Sequence, residues 1–351
     1  MTRETIALGD RSIGAGQPCF VIAEAGCNHD GSLEKAYALI DVAADAQADA
    51  VKFQTFDADL LATEASPKAA YQLETTDAQE SQHSMLRKLQ LPYESFRPLA
   101  DYARAKGLIF LSTPFDERSA EVVVRLGAPA IKVGSGELTH LPLLASLAGY
   151  GLPMLISTGM ATLGDIEAAL AVVREAGNGK IGLFHAVSCY PTQPGDVNLR
   201  AMDVMRQAFG VPIGYSDHTL GISIALAAVA RGACMIEKHF TLDATALGPD
   251  HRASLEPPAL KELVAQIRAI ERSLGTGHKE PAAAELDTRR VARRSLAAAR
   301  TLAVGDQIGL DDISVLRPGT GLAPSALHFV IGRHARTTIA AGTLLDWGLL
   351  A

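Results

Sequence analysis

The 351-residue sequence predicts an α/β chain: a (β/α)8 TIM barrel followed by a small β-rich domain. Three observations carry this. Eight short runs are apolar on both faces, as the strands of an all-parallel sheet are. Most intervals between them hold apolar residues at helical spacing. Beyond Gly275 that alternation stops, and Gly, Pro and Asp divide short segments such as DISVLRPGTG and HARTTIAAGTLL. An open doubly wound sheet is the rival architecture, but evenly repeated strand–helix units favour closure.

In chain order, strands are expected at 19–25, 50–56, 108–111, 130–133, 154–156, 181–187, 212–215 and 234–236. After the first, Leu33, Ala36, Tyr37, Ile40, Ala43 and Ala44 share one helical face. Residues 92–106 open on Pro92, keep Phe96, Leu99, Ala100 and Ala103 together and stop at Gly107. Thr162 and Asp165 form a capping-box start to a helix ending near Gly177. Residues 221–232 are helical in spacing, and Leu260, Leu263, Val264, Ile267, Ile270 and Leu274 line a last amphipathic helix closed by Gly275. The polar stretch 57–90 reads as an excursion over the substrate or as a surface loop. Residues 1–280 are assigned to the barrel, 281–294 to a charged linker and 295–351 to the small domain. A domain that size buries little core alone and calls for a partner surface.

Bulk properties narrow the class. With 48% hydrophobic and 20% charged residues, the chain suits a soluble globular enzyme with a large core. A net charge of −7 offers no basic field to nucleic acid or to an anionic membrane. No apolar run approaches the roughly 20 residues that span a bilayer. The amino-terminal stretch lacks the apolar core of an export signal. Cys19, Cys27, Cys189 and Cys234 show no CxxC spacing and read as reduced thiols of a cytoplasmic protein.

The chemistry gathers at the strand ends. Residues 212–252 run strand, helix, strand, breaking into Ser216-Asp217-His218-Thr219 and then Glu237-Lys238-His239. In a βαβ unit, ligands bind at the carboxyl ends of the strands, so His218 and His239 are expected side by side. Two imidazoles there suit a divalent metal completed by water or substrate oxygen; each ring alone equally suits a hydrogen bond to a neighbour. The other strand ends supply Glu24, Lys52, Gln54, Thr113, Lys132, Ser135, Glu137, Ser157, Ser188 and Tyr190, and Asp250 follows the last strand. Two lysines among hydroxyls and the glycine-bearing turns at 134–136 and 157–159 suit a phosphate or carboxylate. The competing readings are salt bridges to Glu24 or Glu137 and a Schiff-base lysine. Glu24 and Glu137 can serve as base and acid, bind hydroxyls, or neutralise the lysines.

The motifs IAEAGCNHDGS (22–32), KFQTF (52–56), FLSTPFD (110–116), KVGSGEL (132–138), STGM (157–160), CYPT (189–192), YSDHTLG (215–221), EKHFTLD (237–243) and GPDHRASLEP (248–257) together resemble the sialic acid synthase family. ARRSLAA (292–298) and RPGTGL (317–322) resemble that family's carboxy-terminal SAF, or antifreeze-like, domain. The likeness runs in register along nearly the whole chain. It implies condensation of phosphoenolpyruvate with an N-acetylated aminohexose to a nine-carbon 2-keto acid plus phosphate. N-acetylmannosamine is the first acceptor implied and 2,4-diacetamido-2,4,6-trideoxymannose the alternative. It further implies a Mn2+ or Mg2+ cofactor on His218 and His239, and a domain-swapped homodimer. Lys52, Thr113, Lys132, Ser135, Ser157 and Ser216 would hold phosphoenolpyruvate. Glu24, Gln54, Glu137, Tyr190 and Asp250 would hold the sugar, with Arg317 reaching it from the partner subunit. Some sialic acid synthases carry Asn where Ser188 stands, whereas legionaminic, pseudaminic and spore-coat relatives can have Ser. The readings from other classes are a metal-independent Schiff-base aldolase and a protein that binds surface glycans or ice.

Overall fold

A computed structural model describes residues 5–351. Residues 1–4, the start of the stretch read as lacking an export signal, lie outside the described residues. The chain divides into two compact units, Met1–Gly275 and Thr276–Ala351.

The first unit opens with an antiparallel hairpin, β1 (Thr5–Leu8) and β2 (Arg11–Gly14). Eight parallel strands follow: β3 (Phe20–Gly26), β4 (Ala50–Thr55), β5 (Ile109–Pro114), β6 (Ile131–Val133), β7 (Met154–Ser157), β8 (Ile181–Ala186), β9 (Ile213–Asp217) and β10 (Met235–His239). Their order is β5-β4-β3-β10-β9-β8-β7-β6, and β5 lies beside β6, so the sheet curls into a nearly closed barrel. Each expected run contains a strand. Five strands go further than the apolar runs: β3 and β7 by one residue, to Gly26 and Ser157, β5 to Pro114, β9 to Asp217 and β10 to His239. Ladder hydrogen bonds are made by the backbone and tolerate polar side chains, so much of the chemistry sits on the last rungs instead of beyond them.

Period-two alternation divides each strand between two environments. Val21, Ala23 and Ala25 pack outward against the helices with Val51, Phe53, Ile156 and Leu183. Phe20, Ile22, Leu111, Leu155, Phe184 and Met235 fill the barrel interior, and Ile6, Leu8 and Ile13 of the hairpin join them. The hairpin, absent from the sequence prediction, therefore closes the amino-terminal end of the barrel. Gly214 makes room in this packing. A Cβ there would fall 2.7 Å from Met235 Cβ and 2.8 Å from Phe184 Cε1.

The helices follow the sequence signals. Leu33–Asp45 is capped by Ser32, whose Oγ accepts from Lys35 N. Leu163–Glu175 carries the reciprocal Thr162–Asp165 box, and Pro257–Leu274 ends at Gly275 in a positive-φ conformation. Residues 57–90 hold three short helices, Ala58–Leu61, Ala70–Thr75 and Gln82–Leu89. Met85 and Leu89 pin this excursion to Cys27 and Phe56. The buried Lys68 ammonium donates to Thr76 Oγ1 (2.8 Å), Asp77 O (2.7 Å) and Glu80 Oε1 (2.9 Å), which ties the middle of the segment together.

The second unit begins with a helix, Leu286–Ala292, inside the stretch expected to be a plain linker. Its strands β11 (Ser295–Ala298) and β12 (Ile313–Leu316) pair antiparallel, and isolated bridges such as Leu302–Ile339 and Ala335–Leu350 extend the β framework. Leu296, Leu302, Ile308, Val330, Ile339 and Leu345 form its small core. No helix of the described residues is long and apolar enough to cross a membrane.

Candidate active site

At the carboxyl end of the barrel a cavity of about 440 Å3 opens, and every candidate residue of the first unit lines it. Strand register builds its floor. Glu24 pairs across the ladder with Lys52 on one side and His239 on the other, and Ser216 pairs with Glu237. All five are almost completely buried.

Two lysines share one carboxylate here. Glu237 Oε2 lies 3.7 Å from Lys52 Nζ, and Glu237 Oε1 lies 3.7 Å from Lys132 Nζ while accepting from Ser216 Oγ at 3.0 Å. Lys52 also approaches Glu24 Oε2 at 2.8 Å, out of line for a hydrogen bond, and donates to Thr113 Oγ1 at 3.0 Å. Lys132 donates to Ser157 Oγ at 2.6 Å. Burial alone pushes both ammonium groups toward neutrality. Glu237 and Glu24 outweigh it for Lys52, which is raised, whereas Lys132 falls to about 8. For Glu237, burial is outweighed by Lys132 and Lys52, and the carboxylate stays ionised.

Glu24 and Glu137 behave differently. Burial raises Glu24 to about 7 against the pull of Lys52, with Glu237 adding to the rise. Burial likewise raises Glu137 to about 7, and its Oε2 has no hydrogen-bond partner. Two carboxyls poised near neutrality can each give or take a proton at ordinary pH.

The two imidazoles stand with ring centroids 5.4 Å apart. His218 Nδ1 is 2.7 Å from the Val187 carbonyl, which assigns the proton to Nδ1 and leaves a lone pair on Nε2. His239 Nδ1 has no hydrogen-bond partner and lies 3.6 Å from Asp250 Oδ2. Burial lowers His218 to about 4, and burial with the neighbouring His218 lowers His239 well below its ordinary value, so both rings are neutral. No group of three or more His, Cys, Asp or Glu is arranged to hold a metal among the described residues. Two neutral nitrogen donors with an orphaned ring atom fit an open divalent site whose other positions go to water and substrate.

Ser135 and Ser188 meet over Gly159. Ser135 Oγ accepts from Gly159 N at 3.0 Å, and a Cβ on that glycine would fall 2.3 Å from Ser188 Oγ. Tyr190 stacks on His218 (4.1 Å between centroids) and on Tyr71 of the excursion (5.2 Å). Gln54 approaches Glu24 at 3.4 Å. Asp250, raised to about 6 by burial, is held through its carbonyl by Ser254 Oγ at 2.7 Å, and Ser254 is held by Asn28 at 2.9 Å.

Not every polar strand-end residue faces the cavity. Lys238 and Asp217 alternate to the outer side, where they pair at 2.9 Å with no exposure. His185 turns to the Val197 carbonyl at 2.6 Å, and Ser112 to Thr55 at 2.7 Å. Arg317 belongs to the second unit, where its Nε donates to Ala292 O. The sequence assigned no role to Glu237, although its place two residues before His239 on one strand signals that both face inward. Tyr71 and Gln72, which also line the cavity, carried no motif.

A model described as the NeuB family matches residues 39–279, and one described as the SAF domain matches 293–351. The chain is 43% identical to N,N'-diacetyllegionaminic acid synthase of Legionella pneumophila over 97% of this chain and 96% of that protein. It is 44% identical to the Campylobacter jejuni protein of the same name, over 90% and 95%. Among solved structures, N-acetylneuraminic acid (sialic acid) synthetase of Leptospira borgpetersenii superposes with a TM-score of 0.71 at 35% identity, covering 82% of this chain and 95% of that one.

Proposed function

The chain belongs to the NeuB family, and on that premise we propose that it condenses phosphoenolpyruvate with an N-acylated mannosamine-type sugar, giving a nine-carbon 2-keto acid and phosphate. The observation that carries this reading is the composite floor: two lysines and a ring of hydroxyls for a dianion, beside two neutral imidazoles and two carboxyls near pH 7.

Lys52 and Lys132, with Thr113, Ser135, Ser157 and Ser216, bind the phosphate and carboxylate of phosphoenolpyruvate. Gln54, Tyr190 and Asp250 orient the sugar. The enol carbon C3 attacks the sugar's aldehyde carbon, and the aldehyde oxygen becomes a hydroxyl by taking a proton. Glu24 removes a proton from the water that adds at C2. The hemiketal phosphate then collapses by C–O cleavage, and phosphate leaves. Glu137 binds a sugar hydroxyl or relays the proton. Mn2+ or Mg2+ on His218 and His239 supplies Lewis-acid polarisation of the aldehyde oxygen when bound.

Identity of 43% and 44% to legionaminic acid synthases, against 35% to an N-acetylneuraminic acid synthetase, supports 2,4-diacetamido-2,4,6-trideoxymannose over N-acetylmannosamine. The working form is a cytoplasmic homodimer in which Arg317 serves the partner's site; a monomer in small-angle scattering at working concentration would remove that part. The enzymatic test is phosphate release from phosphoenolpyruvate with each acceptor and Mn2+. Release that needs an acceptor and stops with chelator is expected. Chelator-resistant turnover, with borohydride trapping on Lys132, would replace this reading with a Schiff-base aldolase, which the lowered Lys132 pKa also suits.

A further inference from the structure

Resting on the reading of His218 and His239 as metal ligands, we propose that the buried pair Asp217–Lys238 is a positioning device. It sets the reach between the two imidazoles, and so the affinity of the site for a divalent cation. The ladder joining β9 to β10 pairs Tyr215 with Ile236, Ser216 with Glu237 and Asp217 with Lys238, and ends there. His218 and His239 each lie one residue beyond that last rung, so no rung of this ladder fixes one ring against the other. The remaining anchors hold them separately: the Val187 carbonyl takes His218 Nδ1–H, and pairing with β3 holds the backbone at His239.

Side chains on the outer face supply the tie. Asp217 Oδ1 accepts from Thr219 N at 2.9 Å and from Thr219 Oγ1 at 2.8 Å, closing a side-chain turn whose central residue is His218. Tyr215 OH donates to the same oxygen at 3.1 Å. Lys238 Nζ donates to Asp217 Oδ2 at 2.9 Å and to the Thr219 carbonyl. One ammonium, carried by the residue before His239, thus grips the chain on both sides of His218. Neither charged side chain is exposed. A buried ion pair seldom adds net stability over packed apolar side chains of similar volume, so stability alone does not account for two charges here. Placement does. Metal–nitrogen bonds of about 2 Å leave little slack, and residues that orient the ligands from behind carry about 10- to 100-fold in metal affinity.

The test is a titration of the full chain with Mn2+ in the absence of substrates, following free Mn2+ by its electron paramagnetic resonance signal. The double variant Asp217→Asn/Lys238→Met removes both charges together, so neither is stranded, and it keeps an amide oxygen to close the turn. Its Kd for Mn2+ should rise about 10- to 100-fold. Its KM for phosphoenolpyruvate at saturating Mn2+ should change less than about threefold, because Lys52 and Lys132 stand on β4 and β6. A rise in both constants would mark a general loosening of the fold and overturn the inference. Lys238→Gln leaves Asp217 its three donors on Oδ1 and replaces the double variant should that fail to fold, with a rise in Kd of at least about threefold expected. A smaller rise in either folded variant would overturn the inference and leave the metal reading standing. Absence of Mn2+ binding by the unmodified protein would instead overturn the metal reading, and this inference with it.

Discussion

Replacing Glu237 with Gln should convert phosphoenolpyruvate binding into a pH-sensitive event. The carboxylate sits 3.7 Å from each lysine. At an effective dielectric of about 20, one such contact is worth about 4.5 kcal/mol, or roughly three pKa units, as an upper limit. Water entry and relaxation reduce this, yet a third of it moves Lys132 by about one unit. Lys132 titrates near 8 with Glu237 in place, because burial favours its neutral form and Glu237 opposes that. A lysine binds anions only while protonated, so affinity is present below its pKa and is lost as pH rises through it. Without Glu237 that loss begins about one unit lower, near pH 7. Glu24, raised in part by Glu237, should shift downward and remain a carboxylate in more acidic solution. The assay is KM for phosphoenolpyruvate from pH 6 to 8.5 at saturating acceptor. At pH 8 the variant's KM should exceed that of the unmodified protein by about fivefold, with a gap below about twofold at pH 6. Gln can keep the Ser216 contact, so circular dichroism should be unchanged. Superimposable KM profiles would refute the claim that this carboxylate holds the lysines in their charged state.

Three other outcomes follow from particular contacts. Lys238→Met strands the unexposed Asp217 carboxylate and should cost about 3–5 kcal/mol in urea denaturation; a loss under 1 kcal/mol would mean that water reaches the pair. Gly159→Ala drives a methyl into Ser188 and Ser135 and should weaken phosphoenolpyruvate binding while thermal stability changes little; unaltered KM would show that the turn gives way freely. Lys68→Met removes three hydrogen bonds from a buried ammonium. It should speed amide exchange across residues 66–82 and raise the acceptor KM about three- to tenfold, and exchange that stays slow would assign the segment's order to Met85 and Leu89.

The barrel was legible because buried parallel strands are apolar on both sides and helices announce themselves by caps and spacing. Thr162 and Gly275 mark helix ends in the sequence and occupy them in the structure. The composition of the cavity was legible for the same reason: once the strands are placed, their ends converge. Which end residues turn inward was harder. Glu237 and His239 face the cavity while Lys238 does not, and a one-residue ambiguity in where β10 starts would invert that set. The hairpin was missed because two four-residue strands carry too few positions for alternation to stand out. The excursion over the substrate was one of two readings of residues 57–90, but which of its side chains line the cavity was not legible, because Leu61, Leu86 and Tyr71 acquire meaning only through long-range packing onto Cys27, Phe56 and Tyr190.

The hairpin beneath the barrel bears on the order of events. With Ile6, Leu8 and Ile13 stoppering the amino-terminal end, the tube opens, among the described residues, at its carboxyl end, and what enters there must leave there. On the proposed reaction, phosphoenolpyruvate takes the deep position and the sugar the shallow one. The sugar, once seated, bars the way in and the way out. Such a vessel imposes a queue: phosphoenolpyruvate first, acceptor second. Excess acceptor should then inhibit by occupying the doorway of the empty enzyme, and labelled phosphoenolpyruvate should become trapped as acceptor concentration rises.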